Sequence, residues 1–446
     1  MTAGAPATRR PVPPLTEPRP TARPEVAERT LESGLRVIVV RRGTVPLIEL
    51  RLRIPSASSD QHYLPEATVL ANTLLSGTSG LTNVEIAARL QTVGGGLSVG
   101  VDPDRVIISG NAMAAGLPTL LDTLTSVLIG ATYPEKEVRT ERDRLADRIQ
   151  IALSQPSQAV RMALLRRVYG DHPYGVEMPE PEAVRKVQAD ALRALHGTVV
   201  LPAGSVLVLV GDVDPEAILD VVESALAPWQ ATGAATETPP VPALATGPLV
   251  LVDRAGSVQS SIRVALLAVP RAHPDYPAVQ LANLIFGGYF SSRLVENIRE
   301  DKGYTYSPHS TIDHSAAGSI TVVSADVATE VTAPSLLEIG YELGRVAVLP
   351  PEPAELEQAR QYAIGTLALS VATQAGLAGT LSALVATGLG IDWLTEHPQR
   401  LAKVTRDEVF AAASRYFTPA SAVTVVLGDA QAVEQPASVL GPVIRG

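Results

Sequence analysis

The stretch Phe286-Gly-Gly-Tyr-Phe-Ser-Ser-Arg-Leu-Val-Glu-Asn-Ile-Arg-Glu-Asp-Lys-Gly-Tyr-Thr-Tyr306 decides how the chain is read. A glycine pair closes an apolar helix, and the serine pair Ser291 and Ser292 is placed to cap a new one. The second helix carries Leu294 and Ile298 on one face, ends in charge and is broken by Gly303. Tyr304 and Tyr306 alternate with Thr305, which predicts the start of a strand. The expected product is a helix–turn–strand corner with Arg299 on one side and Tyr306 on the other.

The helix that leads into this corner has a double. Ala67-Thr-Val-Leu-Ala-Asn-Thr-Leu-Leu-Ser-Gly77 matches Ala278-Val-Gln-Leu-Ala-Asn-Leu-Ile-Phe-Gly-Gly288. Later, Pro202-Ala-Gly-Ser-Val-Leu-Val-Leu-Val-Gly-Asp212 matches Pro419-Ala-Ser-Ala-Val-Thr-Val-Val-Leu-Gly-Asp429 at nearly the same offset. Two matches in order, so far apart, mark a duplicated domain rather than a short solenoid repeat. Each copy reads as strands, helix, strands, helices and strand. Such separated runs predict an α+β fold, with a mostly antiparallel sheet packed with helices in each copy. The expected organisation is a Pro-rich disordered arm over residues 1–26, one domain over 27–230, a linker over 231–247 and a second domain over 248–446.

Within the first copy, structure is expected from Thr30, with a turn at Gly34. Asn83 is expected to cap a helix over Val84 to Val93, and Gly94-Gly-Gly to break it. Pro134 to Leu153 reads as a long amphipathic helix with a charged outer face, and Pro181 to Thr198 as one helix. Leu47 to Ile54 alternates as a half-buried strand, and Val206 to Val210 is a buried one.

Composition excludes several classes. A hydrophobic fraction of 46% over 446 residues is enough for full cores, and aromatics at 4% leave Ala, Val, Leu and Ile to build them. A net charge of -10 argues against a nucleic-acid partner, which needs clustered Lys and Arg. With no cysteine, disulfides, thiol nucleophiles and zinc–thiolate sites are excluded together. Met1 to Pro24 lacks the apolar core of a signal peptide. The longest apolar stretch, near Ala363 to Leu389, is interrupted by Ser, Thr, Gln and Gly, so no membrane association is expected and the compartment is read as cytoplasmic.

The chemistry-bearing residues are few. The seven histidines are His62, His172, His196, His273, His309, His314 and His397, and no pair has the spacing that places two ligands on one helix face. His309 and His314 flank Asp313, but five apart in a strand they face opposite ways and read as strand-end histidines. A G-x-S-x-G elbow and a phosphate loop are absent, and Gly94-Gly-Gly reads as a turn. Arg299 and Tyr306 remain. Arg supplies a planar fork for a carboxylate or carbonyl, and Tyr a hydroxyl and a flat ring. The residues alone favour a structural role, with Arg299 in a helix-end ion pair and Tyr306 as a half-buried strand residue.

At these residues the chain resembles the pitrilysin/insulinase family of zinc metallopeptidases, relatives of mitochondrial processing peptidase. The resemblance runs from about Thr30 to the C-terminus. It rests on Gly287-Gly-Tyr-Phe-Ser-Ser-Arg-Leu294 followed by Arg299-Glu-Asp-Lys-Gly-Tyr-Thr-Tyr306, with weaker support from His172-Pro-Tyr-Gly175 and Val210-Gly-Asp-Val-Asp214. It implies two homologous α+β domains and a substrate-binding role for Arg299 and Tyr306. The departure is as informative. The family's H-x-x-E-H helix ends shortly before Gly-Thr, and anchoring on Gly77-Thr78 puts Thr68-Val-Leu-Ala-Asn72 in its place. Thr, Ala and Asn hold no zinc and act as no general base. Glu141, Asp143 and Asp147 lie on the helix that the resemblance implies would carry a third ligand, and without the histidines they read as a solvated face.

The resemblance therefore implies no catalytic residue, metal ligand or cofactor in this chain, with zinc held by a homologous partner subunit bearing H-x-x-E-H. The chain is expected to be the non-catalytic, substrate-binding subunit of a hetero-oligomeric zinc endopeptidase that cleaves peptides in a closed chamber. The alternatives are a scaffold or assembly subunit, a stand-alone peptide-binding protein, and an enzyme with an unorthodox metal site.

Overall fold

The computed structural model describes residues 24–60 and 62–446, so most of the expected Pro-rich arm lies outside the described residues. The first half contains strands β1 (Val26–Thr30), β2 (Arg36–Arg41), β3 (Leu47–Pro55), β4 (Gly96–Asp102), β5 (Arg105–Met113) and β6 (Val206–Gly211). Its helices are α1 (Tyr63–Thr73), α2 (Asn83–Thr92), α3 (Leu117–Gly130), α4 (Glu135–Ser154), α5 (Pro156–Tyr169), α6 (Pro181–Lys186), α7 (Ala189–Val199) and α8 (Pro215–Leu226). The sheet order is β1-β2-β6-β3-β5-β4, antiparallel except where β2 meets β6. β3 alternates strictly between buried and half-buried positions, which sends Ile48, Leu50, Leu52 and Ile54 into the core beneath the helices.

The second half repeats this plan. Its strands are β7 (Leu249–Asp253), β8 (Gln259–Ala268), β9 (His309–His314), β10 (Ser319–Ala328), β11 (Val423–Gly428) and β12 (Val443–Arg445), in the order β12-β7-β11-β8-β10-β9. Its helices are α9 (Tyr276–Asn283), α10 (Arg293–Val295), α11 (Thr332–Val348), α12 (Pro353–Ser370), α13 (Gln374–Val385), α14 (Trp393–Lys403), α15 (Arg406–Tyr416) and α16 (Ala430–Ser438). The repeated segments fall on α1 and α9, and on β6 and β11, which hold equivalent places in the two sheets. One edge differs: β1 runs antiparallel to its neighbour, whereas its place in the second sheet is taken by β12, parallel to β7. The fold is α+β, with each sheet packed with helices.

Each half lends a helix to the other. α5 buries Val160, Leu164, Leu165 and Val168 against Ile320, Val322, Val423 and Val425 of the second sheet. α13 buries Leu377, Ala378, Leu381 and Val385 against Ile38, Val40, Val208 and Val210 of the first. Polar bonds lock the exchange. Gln374 Nε2 reaches the carbonyls of Arg42, Val45 and Leu47 at 2.7, 3.1 and 3.0 Å, and Arg42 Nη2 donates to the Ala372 carbonyl at 2.8 Å. The apolar run near Ala363 to Leu389 is thereby explained: α12 and α13 meet at 110°, and α13 spends its apolar face on the first sheet. Among the described residues no single helix is long and apolar enough to cross a membrane.

Asp104, in the turn between β4 and β5, ties the halves together from the other side. It accepts bonds from Tyr174 Oη (2.6 Å), Thr238 Oγ1 (2.7 Å), the Ala316 N–H (2.9 Å) and Arg105 Nη2 (3.0 Å). Burial alone would raise its pKa, but the bonds from Tyr174, Ala316 and Thr238 outweigh burial and hold it below the ordinary value. The motif His172-Pro-Tyr-Gly is part of this junction: the Tyr174 hydroxyl also accepts from the Ala317 N–H at 3.0 Å, and His172 Nδ1 accepts from the Tyr174 N–H at 3.1 Å. Thr238 lies in the segment 231–247, which has no regular secondary structure.

Four local expectations are corrected. The first strand starts at Val26, ahead of Thr30 and inside the span read as the arm, because it pairs with β2. Helix α2 is capped by Thr82 rather than Asn83, because Thr82 and Glu85 form a reciprocal capping box. Pro181 to Thr198 is two helices: Val187 turns extended, buries its side chain and gives its carbonyl to Arg142. Tyr304 to Tyr306 is not strand. Thr305 Oγ1 bonds the Asp326 carbonyl, and the ladder with β10 begins only at His309.

Candidate functional site

The corner is built from the end of α9 forward. Its last turns, Leu284–Gly288, widen to the i→i+5 pattern, a rare geometry that recurs at functional sites. The two glycines sit in close approach to neighbouring side chains. A Cβ on Gly287 would stand 2.9 Å from Ser310 Oγ and 3.1 Å from Leu294 Cδ2, and one on Gly288 would stand 2.9 Å from Asn283 Nδ2. Ser310 Oγ donates to Asn283 Oδ1 at 2.8 Å and fastens this turn to β9.

After Gly288 the chain extends through Tyr289 and enters α10, which widens again over Glu296–Asp301. Leu294 and Ile298 are fully buried, as their spacing predicted. The serine pair does not cap. Ser292 occupies the cap position, but its side chain makes no capping bond, and its buried hydroxyl has no partner among the described residues. The helix is held from its sides instead. Arg293, only 5% exposed, forms a two-pronged pair with Glu355, both bonds at 2.7 Å. The bond to Glu355 raises the Arg293 pKa. Burial works to raise that of Glu355, but the bonds from Arg293 and the Glu352 N–H, with the nearby positive charge, together outweigh it and leave Glu355 below its ordinary value. Asn297 Nδ2 donates to Glu338 and to the buried Glu342, each at 2.9 Å.

Gly303, with φ +65°, then reverses the chain, and the Tyr304 N–H returns to the Ile298 carbonyl at 2.9 Å. This return brings Arg299 and Tyr306 together. The Arg299 guanidinium carbon lies 4.6 Å from the centre of the Tyr306 ring. It also lies 4.7 Å from the centre of the Phe290 ring. Both are cation–π distances. Arg299 Nε pairs with Glu300 Oε1 at 3.0 Å. Among the described residues its two terminal nitrogens have no partner. Tyr306 is 81% exposed and Phe290 63% exposed. The guanidinium thus lies at cation–π distance over two exposed rings while its two terminal nitrogens are left unbonded among the described residues. A fork in that state is a pre-oriented double donor for a carbonyl or carboxylate.

Phe290 did not emerge as a site residue from the sequence. Its signal was present: a large apolar residue in a Gly/Ser turn has no helix or strand face to bury it. Tyr306 is a loop residue, not the half-buried strand residue that one reading of the pair required. Three of the histidines are taken up structurally. His196 bonds Tyr133 Oη and the Leu128 carbonyl, and burial lowers its pKa. His314 bonds Ser319 Oγ, and His397 lies stacked between Trp393 and Tyr276.

The counterpart helix in the first half does not fit a metal. Thr68 Oγ1 donates to the Leu64 carbonyl (2.6 Å) and Asn72 Nδ2 to the Thr68 carbonyl (2.8 Å). Arg148 of α4 donates to Asn72 Oδ1 at 3.0 Å. A hydroxyl, an amide and a guanidinium meet where the resemblance implies a metal, and the guanidinium is itself a cation. Asp147 pairs with Arg185 and Asp143 with Arg142 on the exposed side of α4, and Glu141, half-buried on the face that Arg148 shares, pairs with Arg144. Among the described residues no group of three or more His, Asp and Glu side chains is placed to hold a metal ion.

Two family models match, one described as insulinase (peptidase family M16) over residues 66–182 and one as peptidase M16 inactive domain over residues 186–362. Together they span most of the chain. The chain belongs to the M16 peptidase family. It is similar to the "Uncharacterized zinc protease YmxG" of Bacillus subtilis (24% identity over 77% of this chain and 83% of the relative). It is similar also to the "Probable inactive metalloprotease YmfF" of the same organism (24% identity over 44% of this chain and 47% of the relative). Its fold matches a solved peptidase M16 inactive domain from Pseudomonas fluorescens, with TM-score 0.84 and 22% identity over 91% of this chain and 98% of that one. It also matches a protease from Helicobacter pylori, with TM-score 0.82 and 17% identity over 91% and 99%. With Thr68, Ala71 and Asn72 in place of the H-x-x-E-H residues, this is an inactive, non-catalytic member of the M16 family.

Proposed function

We propose that this chain is the substrate-binding subunit of a hetero-oligomeric zinc endopeptidase of the cytoplasm. A homologous M16 subunit with H-x-x-E-H supplies the metal, and the two enclose the peptide in a chamber. The observation that carries this reading is the Arg299 guanidinium beside the exposed rings of Phe290 and Tyr306. A positive fork packed on exposed rings, with both terminal nitrogens unbonded among the described residues, is arranged for a ligand and not for the fold. Arg299 takes a peptide carbonyl or carboxylate, and the Tyr306 hydroxyl offers a further donor beside it.

The test is a peptidase assay on this chain, on the H-x-x-E-H subunit, and on the mixture. Cleavage is expected in the mixture alone. Arg299→Ala with Tyr306→Phe should lower kcat/KM of the mixture about 100-fold, the scale of a misplaced substrate, with complex formation and thermal midpoint unchanged. Full activity in the double variant would leave only the scaffold reading. Activity from this chain alone would overturn the assignment of Thr68 to Asn72 as a vacated metal site.

A further inference from the structure

Phe290 is the odd residue of the corner. The chain has four phenylalanines. Phe286 and Phe417 are fully buried and lie against each other with ring centres 5.9 Å apart, and Phe410 is half-buried. Phe290 alone is displayed, in a chain where aromatics are scarce. One face of its ring meets the Arg299 guanidinium at 4.7 Å; its 63% exposure leaves the rest of the ring in water. Leaving such a ring uncovered forfeits its hydrophobic stabilisation, so the position is costly unless something covers it.

The geometry indicates what. A carbonyl that accepts from the free edge of Arg299 sits about 2.9 Å from a terminal nitrogen. The side chain of the residue bearing that carbonyl, or of its neighbour, then lies alongside the rings that flank the edge. Tyr306 ends in a hydroxyl that must stay hydrated or bonded. Phe290 has no polar atom, so its open surface offers only apolar contact and ring stacking. We propose that Phe290 is the specificity-determining residue of this site, taking up an aromatic or large aliphatic side chain of the peptide whose backbone Arg299 holds. The inference rests on the peptide-binding reading of Arg299 and Tyr306 and adds a side-chain preference to it. Phe290 also acts as a positioning residue: with Tyr306 it keeps the guanidinium from rotating, so the free edge stays directed outward.

The experiment titrates the full chain with two short Gly/Ser probe peptides that differ only in a central Phe or Ala, up to millimolar concentration. The Phe probe should bind about tenfold more tightly than the Ala probe, the lower end of what an apolar pocket discriminates. Phe290→Ala should reduce that ratio to within about twofold, chiefly by weakening the Phe probe, and Phe290→Leu should restore most of it. Because the ring is exposed, the thermal midpoint of Phe290→Ala should match that of the parent, which separates a lost subsite from a lost fold. If the parent shows no preference, or the preference survives Phe290→Ala, while both probes weaken in Arg299→Ala, the role of Phe290 is overturned and the Arg299 reading stands. If neither probe responds to Arg299→Ala, the binding role of Arg299 falls, and this inference with it.

Discussion

The stretches Gly77 to Thr92 and Gly287 to Asp301 occupy the same place in the two halves, after the first helix and before the edge hairpin. The first is regular. Thr82 and Glu85 form a capping box, the Glu85 carboxyl is held below its ordinary pKa by its bonds to Thr82, and Arg89 pairs with Asp122. The second breaks local rules throughout: two wide turns, a cap serine that does not cap, a buried ion pair, and an arginine over two exposed rings. Local rules are met at the first corner and broken at the second, the distribution expected where a chain trades local fit for a functional site. The comparison also separates two losses that look alike from a distance. Among the described residues the first half holds neither a metal-binding group nor a cation stacked on an aromatic ring, while the second presents Arg299 over two rings on a scaffold of the same plan.

The comparison holds only if the halves stand as one unit, and the exchanged helices test that most severely. Leu164 on α5 and Leu381 on α13 are both fully buried, each in the opposite half's sheet. Either Leu→Ala change should cost about 2–5 kcal/mol. Urea unfolding followed by Trp229 in the first half and Trp393 in the second should remain one coincident transition. Two separated transitions would show that the exchange does not couple the halves.

A second difference is acid lability. His314 and His397 of the second half are both pushed down to about 3, by burial first and then by nearby cations: Arg271 for His314, and Arg400 and Arg271 for His397. The unfolded chain takes up these protons near the ordinary value of 6.5, and the folded chain resists until about 3. The unfolded state therefore binds more protons in that window. The contribution is intact above about pH 6.5, falls as pH drops through it, and amounts to a few kcal/mol, with each pH unit of the window worth roughly 1.4 kcal/mol per group at most. Stability measured at pH 7.5 and 5 should fall by less in His397→Gln than in the parent. Equal slopes would show that His397 is not the group responsible.

The vacated metal site sharpens the contrast from the other half. Thr68→His, Ala71→Glu and Asn72→His would restore H-x-x-E-H on α1, but Arg148 would remain beside it. The triple variant should bind zinc at least about tenfold more weakly than the same variant with Arg148→Ala, since a unit charge a few ångströms away costs about 1–4 kcal/mol at protein surfaces. Equal zinc affinities by competition with a chromophoric chelator would remove the guanidinium from the account of why no metal is held.

The duplicated scaffold was legible because its signals are local and repeated: the Ala67 and Ala278 segments, the two β-branched strands, and the alternation of Leu47 to Ile54. Arg299 and Tyr306 were legible as a motif, and the loss of zinc ligands as a gap in one. Contacts between distant segments were not. Nothing in the spacing of Asp104, Tyr174, Thr238 and Ala316 announces that one carboxylate gathers them, because the turn, the motif and the linker converge only after both sheets have formed. The same holds for α13, whose apolar composition recorded that it is buried but not that its cover is the other half's sheet. Phe290 escaped notice because an exposed aromatic in a turn follows no periodicity.

The smallest expected effects discriminate most finely between the two corners. Thr82→Ala removes the hydroxyl that accepts from the Glu85 N–H and should cost about 1 kcal/mol, the usual value of a lost N-cap. Ser292→Ala, at the matching position of the second corner, removes a hydroxyl that is buried, makes no capping bond and has no partner among the described residues. Its removal should be neutral or slightly stabilising, since a buried polar atom without a bond contributes only its desolvation cost. The two substitutions are chemically near-identical, and both residues stand at the N-cap position of their helix. A loss of about 1 kcal/mol in both would mean that Ser292 caps after all and that the second corner is an ordinary helix start. A loss in Thr82→Ala alone would mean that the helix bearing Arg299 is positioned from its sides, through Arg293 to Glu355 and Asn297 to Glu342, with its N-terminal turn left free of side-chain capping.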